Sequence, residues 1–375
     1  MAAKNNYISV TALSAGRFVP SAQFGIRQFI KPLLDYNIKV HESIPVLSKY
    51  AAFPSSLMRK NRVLRACGGA VMRTLKLASR MPGVIRSYSS DITWLSRELI
   101  PQAVTFEPIL KRPLVLNIDD AIWLSSPDEQ ASVSPKREKA GAVAKRLAAI
   151  SDIVVAGNSF LAEWFEPYAR QVRIIPLAVD TGVFSPRQKG ENSNEKAFTL
   201  GWIGTVSNYK YLESVFDPLC VFLSRHPQAR LLVVSEKNPL FIKQNKNAQI
   251  IFCHWSLQGE VDLIRSMDVG LMPLDLTDWS RGKCALKLKQ YLACGVPVIA
   301  TPVGENAEIL GKHKVGICAK TKQDWYDACC AFYARPQEAR QCGDAGTRLV
   351  EACYSVRCRA GDWSSVFREI KEQQG

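Results

Sequence analysis

The sequence predicts an α/β protein made of two consecutive Rossmann-like βαβ domains facing across a cleft, with a C-terminal helix returning to the first domain. Three observations predict it. Short apolar, β-rich runs alternate with helix-patterned segments, the signature of βα units and a parallel sheet. The alternation halts at a polar linker, RQKGENSNEK (187–196), and then restarts. The chain is 375 residues long, enough for two cores at about 150 residues per domain.

In the first half the expected strands are YISVTAL (7–13), NIKVHE (37–42), DITWL (91–95), PLVLNI (113–118), DIVVA (152–156) and VRIIP (172–176). Residues 125–139 are polar and contain proline, so they read as a surface loop. After the linker come FTLGWIG (198–204), RLLVVS (230–235), QIIFC (249–253), DVGLMPL (268–274), VPVIAT (296–301) and VGICA (315–319). The tail EACYSVRCRAGDWSSVFREIKEQQ has helical texture. The domain limits expected from this pattern are 1–178, 179–355 and a terminal helix over 356–375.

Hydrophobic residues make up 47% and charged residues 22%, which excludes a disordered or fibrous chain. No apolar run approaches the roughly 20 residues of a membrane-spanning helix. The N-terminus reads as a first strand and its turn, not as a secretory signal. Eleven cysteines, with no Cys-x-x-Cys pair, fit a reducing compartment, so a cytoplasmic location is expected.

The net charge is +15, and much of it is concentrated. Arg59, Lys60, Arg62, Arg65, Arg73, Lys76, Arg80 and Arg86 lie in residues 57–86 with no acid among them and apolar residues between. Such a stretch suits an anionic membrane surface or a polyphosphate as well as it suits a solvated helix face. If it is used, the chain rests on the inner face of a membrane. No nucleic-acid reader signature accompanies the charge, so nucleic acid is not an expected partner.

Four segments can carry chemistry. In DWSRGKCALKLKQYLACG (278–295), Ala285, Leu288 and Leu292 mark a buried helix stripe. Lys283, Lys287 and Gln290 are spaced to share another face. Arg281, Gly282 and Lys283 are expected at that helix's N-terminus, where cations, dipole and a glycine amide would converge on a diphosphate. Gln290 would then reach neutral hydroxyls such as a ribose. In GWIGTVSNYKYL (201–212), Gly204 ends a strand and Lys210 follows in a loop, an arrangement that brings amides and one lysine to a phosphate.

In LNIDDAIW (116–123), Asp119 and Asp120 end a strand. They can orient sugar hydroxyls, act as base or bind a metal, and an N-cap with a solvated acid explains them equally well. In SAGRFVPSAQFGIRQF (14–29), Gly25 and Arg27 can meet an acceptor or a phosphate, or form a simple β–α connection. His41, His226, His254 and His313 have no nucleophile-like setting, and no Gly-x-Ser-x-Gly or P-loop pattern occurs.

LKQYLACGVPVIATPVGENAEIL, supported by VVAGNSFLAEWF with IIPLAVDTGVFSP and by GWIGTVSNYKYL, resembles the retaining glycosyltransferases of family four, which have the GT-B fold. The likeness covers most of residues 150–310 and is looser in the first domain. It implies transfer of a sugar from a nucleotide-diphosphate donor to a hydroxyl of a glycan or lipid-linked acceptor, with the anomeric configuration retained, no cofactor and no obligatory metal. Cell-envelope polysaccharide synthesis is the expected setting.

Two glutamates separated by seven residues line the donor site of that family. Gly282 and Gln290 stand in their places here. Thr205 stands for the family's usual arginine and Lys210 matches its lysine. The resemblance therefore implies donor contacts from Gly204, Thr205, Lys210, Arg281, Gly282, Lys283, Lys287 and Gln290. It implies catalytic roles for Asp119, Asp120, Lys210 and Lys283, and acceptor contacts from Gly25 and Arg27. A nucleotide-sugar epimerase on the same fold and a non-catalytic nucleotide-sugar-binding protein are the alternatives.

Overall fold

The computed structural model describes residues 7–17, 19–51, 62–124, 135–186 and 197–374, the side chains of 62–67 excepted. The predicted linker 187–196 and residues 57–61 of the basic stretch lie outside these residues. The chain divides into two compact units, one of residues 1–177 with 359–375 and the other of residues 178–358.

The first unit holds β1 (Ile8–Leu13), β2 (Ile38–Ser43), β3 (Ile92–Ser96), β4 (Leu114–Ile118), β5 (Ile153–Ala156) and β6 (Val172–Ile174), in the order β2-β1-β3-β4-β5-β6. All pairs are parallel. Strands β3, β4 and β5 are buried at every position, as a parallel sheet covered on both faces requires. The helix Val356–Glu372 supplies part of that cover. Its Trp363 and Phe367 rings stand 4.4 and 5.2 Å from Trp94 of β3, and its Glu369 pairs with Arg173 at 2.8 Å.

The second unit holds β7 (Phe198–Ile203), β8 (Ala229–Ser235), β9 (Ile250–His254), β10 (Val269–Met272), β11 (Val298–Ala300) and β12 (Gly316–Cys318). Their order is β12-β11-β10-β7-β8-β9, again all parallel. Strand order reverses between β1 and β3 in one sheet and between β7 and β10 in the other. Ligands of open α/β sheets sit beyond the carboxyl ends of the strands at such reversals.

The loop expected over 125–139 is corrected at its end. Residues Pro135–Ile150 form a helix, and Ala140, Ala144, Leu147 and Ala148 are its buried stripe. Pro135 starts it because a proline ring presets the φ of a first helical residue and needs no N–H partner there. Among the described residues no helix is long and apolar enough to cross a membrane.

Candidate functional site

In the second unit, two segments of the predicted site leave the sheet at the reversal point. Gly204 and Thr205 follow β7, where Thr205 leads a single turn Val206–Asn208, and Lys210 lies in the helix Tyr209–Ser214. The other segment follows β10 and contains Arg281, Gly282 and Lys283. The structure brings them to a common ring. Lys210 Nζ lies 5.2 Å from the centroid of Tyr211, and Lys283 Nζ lies 5.7 Å from the same centroid. Tyr211 is buried, so its ring is a fixed platform for both ammonium groups. Two cations on one platform offer a diphosphate two contacts, at the strand ends where such a ligand belongs.

The expected helix N-terminus is corrected. Asp278–Arg281 is a short helix of its own, capped by Thr277, and Gly282 closes its C-terminal end. The Gly282 N–H donates to the Asp278 carbonyl at 3.1 Å, so this amide is already used. Lys283 lies in the connection, and the next helix starts at Leu286, after Ala285 takes a left-handed conformation with φ 45°. That single residue breaks what reads in sequence as one continuous helix. Arg281 is exposed, and its ion pair with Asp278 at 3.2 Å is a weak surface pair.

The polar face expected from Lys283, Lys287 and Gln290 does not form. Lys287 pairs at 2.8 Å with the buried Glu260, which opens the helix Glu260–Arg265. Gln290 is fully buried, and neither polar atom of its side chain has a hydrogen-bond partner among the described residues. A buried amide in that state is costly until something satisfies it.

Beside it, sequence reasoning missed a buried ion pair. Lys289 Nζ donates to Glu305 Oε1 at 2.7 Å and to the Cys284 carbonyl at 3.2 Å, and stands 4.5 Å from the Tyr354 ring centroid. Lys289 is 0% exposed and Glu305 4%. Burial pushes the Glu305 carboxyl above its ordinary range, against the pull of Lys289.

Gly304, just before Glu305, has φ 52°, and a Cβ there would lie 2.6 Å from the Arg281 carbonyl oxygen. Only glycine allows this close approach. Gly304→Ala is therefore expected to displace the Arg281–Lys283 segment. Loss of nucleotide-induced thermal protection, with a melting temperature lowered by a few degrees, is the measurement that checks it.

Tyr291 ties the platform together from below. Its hydroxyl accepts from the Ile203 N–H at 2.9 Å, at the end of β7, and burial pushes its phenol well above the ordinary range.

In the first unit, Gly25 and Arg27 lie in the turn Gln23–Arg27 that follows the first loop. A Cβ on Gly25 would meet Asn117 Nδ2 at 2.9 Å, so glycine lets this turn settle on the end of β4. Arg27 binds Glu42 through two nitrogens, at 2.7 and 2.8 Å, and donates to the carbonyls of Gly16, at 2.8 Å, and Arg17. These contacts use its guanidinium to hold the first loop to β2.

Asp119 and Asp120 follow β4, and a residue that sequence reasoning missed grips both. Arg97, directly after β3, donates through Nε to Asp119 and through Nη2 to Asp120 at 2.5 Å. Although burial opposes its charge, Asp119 and Asp120 hold the guanidinium above its ordinary value. Two neighbouring carboxylates paired to one guanidinium are well-oriented acceptors for hydroxyl groups. The signal for Arg97 was a lone arginine after the apolar run ITWLS, which has no motif around it. Among the described residues no group of three or more His, Cys, Asp or Glu side chains is arranged to hold a metal ion.

With this geometry in place, the chain can be compared with known proteins. Residues 197–335 match the family model described as glycosyl transferases group 1. No curated protein matches the chain by sequence. Sucrose-phosphate synthase from Thermosynechococcus elongatus superposes with a TM-score of 0.68 at 15% identity, covering 98% of this chain and 100% of its own. HepE from Anabaena, in complex with UDP and glucose, gives 0.65 at 15% identity over 97% and 100%. WaaG, a glycosyltransferase involved in lipopolysaccharide biosynthesis, gives 0.66 at 11% identity over 96% and 99%. At these identities the likeness establishes the fold, which is GT-B.

Proposed function

We propose that the chain, whose residues 197–335 match the family model described as glycosyl transferases group 1 and whose fold is GT-B, moves a sugar from a nucleotide-diphosphate donor to a hydroxyl of a glycan or lipid-linked acceptor, with retention of configuration. The second unit takes the donor and the first unit the acceptor. The observation that carries this reading is the shared Tyr211 platform, which sets Lys210 and Lys283 together at the carboxyl ends of β7 and β10.

Charge develops on the diphosphate as the glycosidic bond breaks, and Lys210 and Lys283 stabilise it, with Arg281 adding to the local field. These cations serve the leaving group, so the reaction as proposed requires no metal and no cofactor. Gln290 is fully buried, so its amide, unsatisfied among the described residues, would take the ribose hydroxyls of the donor only if donor binding uncovers it. Retention follows if the acceptor hydroxyl enters from the leaving-group face and gives its proton to a phosphate oxygen. Asp119 and Asp120, held by Arg97, orient hydroxyls and do not take that proton. The proposed setting is envelope polysaccharide synthesis on the cytoplasmic side, at an anionic membrane.

A melting screen against UDP-, GDP-, ADP- and dTDP-sugars tests the reading, because a ligand at 100 times its Kd stabilises the folded state by about 2.7 kcal/mol. One donor is expected to raise the transition, and Lys283→Ala to abolish the rise. Lys283→Ala or Lys210→Ala is expected to slow transfer roughly 100-fold or more. No protection by any donor, or an epimerised sugar formed without acceptor, would sink the proposal.

A further inference from the structure

We propose that Lys289 is a positioning residue for diphosphate binding: its buried ammonium clamps the segment Arg281–Cys284 and so fixes where Lys283 stands. The proposal deepens the donor-site reading and rests on it.

Lys289 is 0% exposed, so it reaches no ligand itself. Stability alone does not account for it either, because apolar groups of similar volume often replace a buried ion pair at no loss. What its contacts have in common is the segment that carries Lys283. Nζ donates to the carbonyl of Cys284, the residue after Lys283, at 3.2 Å. It also donates to Glu305 Oε1 at 2.7 Å. Glu305 follows Gly304, whose backbone lies so close to Arg281 that a Cβ there would stand 2.6 Å from the Arg281 carbonyl oxygen and 2.9 Å from its Cα. One ammonium therefore holds the segment at both ends, directly at Cys284 and through Glu305 and Gly304 at Arg281. The Tyr354 ring, with its centroid 4.5 Å away, fixes the ammonium from another side.

The segment needs a clamp because it ends on a strained residue. Ala285 is left-handed, with φ 45°, a conformation that disfavours any residue with a Cβ and persists only where the surroundings impose it. Lys289 grips this turn twice. Its side chain holds the carbonyl just before Ala285, and its backbone N–H donates to the Ala285 carbonyl at 3.1 Å. If the turn relaxes, Lys283 leaves the Tyr211 ring, and a misplacement of about 1 Å in such a group costs on the order of 100-fold in rate.

The double variant Lys289→Met with Glu305→Leu separates positioning from stability, since it leaves no buried charge and is expected to melt near wild type. It is nevertheless expected to bind inorganic pyrophosphate roughly tenfold or more weakly by calorimetry. Amide hydrogen exchange at Gly282 and Lys283, whose N–H groups are bonded to the Asp278 and Ser280 carbonyls, is expected to quicken by a similar factor. Lys289→Gln with Glu305→Gln is a second, neutral variant whose amide falls one bond short of the Cys284 carbonyl, and the same two changes are expected of it. Both measurements are made well below each variant's transition, so that folded protein is compared with folded protein.

Lys283→Ala serves as the contrast, weakening pyrophosphate binding while exchange at Gly282 stays at the wild-type rate. Wild-type pyrophosphate affinity in either double variant, or unchanged exchange at Gly282 and Lys283, would overturn the proposal. A wild-type chain that binds no pyrophosphate would sink the donor-site reading instead, and exchange would still decide whether Lys289 holds the segment.

Discussion

Lys289→Met will lower the stability of the second unit by about 3–5 kcal/mol, the cost of leaving one buried charge without its partner. Glu305 is 4% exposed, and Lys289 is the partner of its Oε1 atom. For a unit of this size, that loss corresponds to a fall of roughly 10 °C in its calorimetric transition. Lys289→Met combined with Glu305→Leu is expected to recover most of it, because no buried charge is then left.

The pH dependence gives a second check with a definite sign. Without Lys289 the Glu305 carboxyl rises further above its ordinary value of 4.5, so the folded state favours its protonated form. The penalty is complete above the folded pKa and vanishes below the unfolded one. The deficit of the single variant should therefore shrink as pH falls toward 4.5. A single variant melting within two degrees of wild type, by about the resolution of such comparisons, would mean that the pair holds nothing.

Arg97→Met will cost about 2–3 kcal/mol in the first unit and slow transfer at least tenfold. The stability figure sits below that of a fully buried pair because Asp120 keeps 34% of its side-chain surface while Asp119 keeps 7%. The rate effect arises because two adjacent carboxylates lose the group that sets their direction. Arg97→Lys should not restore either property, since an ammonium cannot reproduce a fork that spans two acids. Steady-state kinetics at saturating donor, beside melting of the isolated transition, separates the two effects. Wild-type rates in a folded Arg97→Met protein would show that the acids need no positioning.

Neither Arg97 nor the Lys289–Glu305 pair has a local signature, whereas the strands do. A parallel strand covered on both faces must be apolar at nearly every position, so β3, β4 and β5 announce themselves within five residues. The return of the terminal helix is readable for a similar reason, since Trp363 and Phe367 are large apolar groups that require cover. Helix limits near the site were harder. Ala285, Leu288 and Leu292 continue an unbroken periodicity, and only the left-handed turn at Ala285 divides it. Alanine gives no warning of such a turn.

Residue types around the site were therefore readable and their partners were not. Lys287, Lys289 and Gln290 are consecutive or nearly so, yet one is tied to Glu260, one to Glu305, and one is buried without a hydrogen-bond partner among the described residues. Which face each takes depends on how the helix settles against β10 and β11, and so on the strand order. The meeting of Lys210 and Lys283 at Tyr211 likewise requires β7 and β10 to lie side by side, although they are far apart in the chain. Apolar patterning is a local demand of burial and can be read along the chain. Ion pairs and shared platforms are demands of three-dimensional neighbourhood, which only the order and register of the strands create.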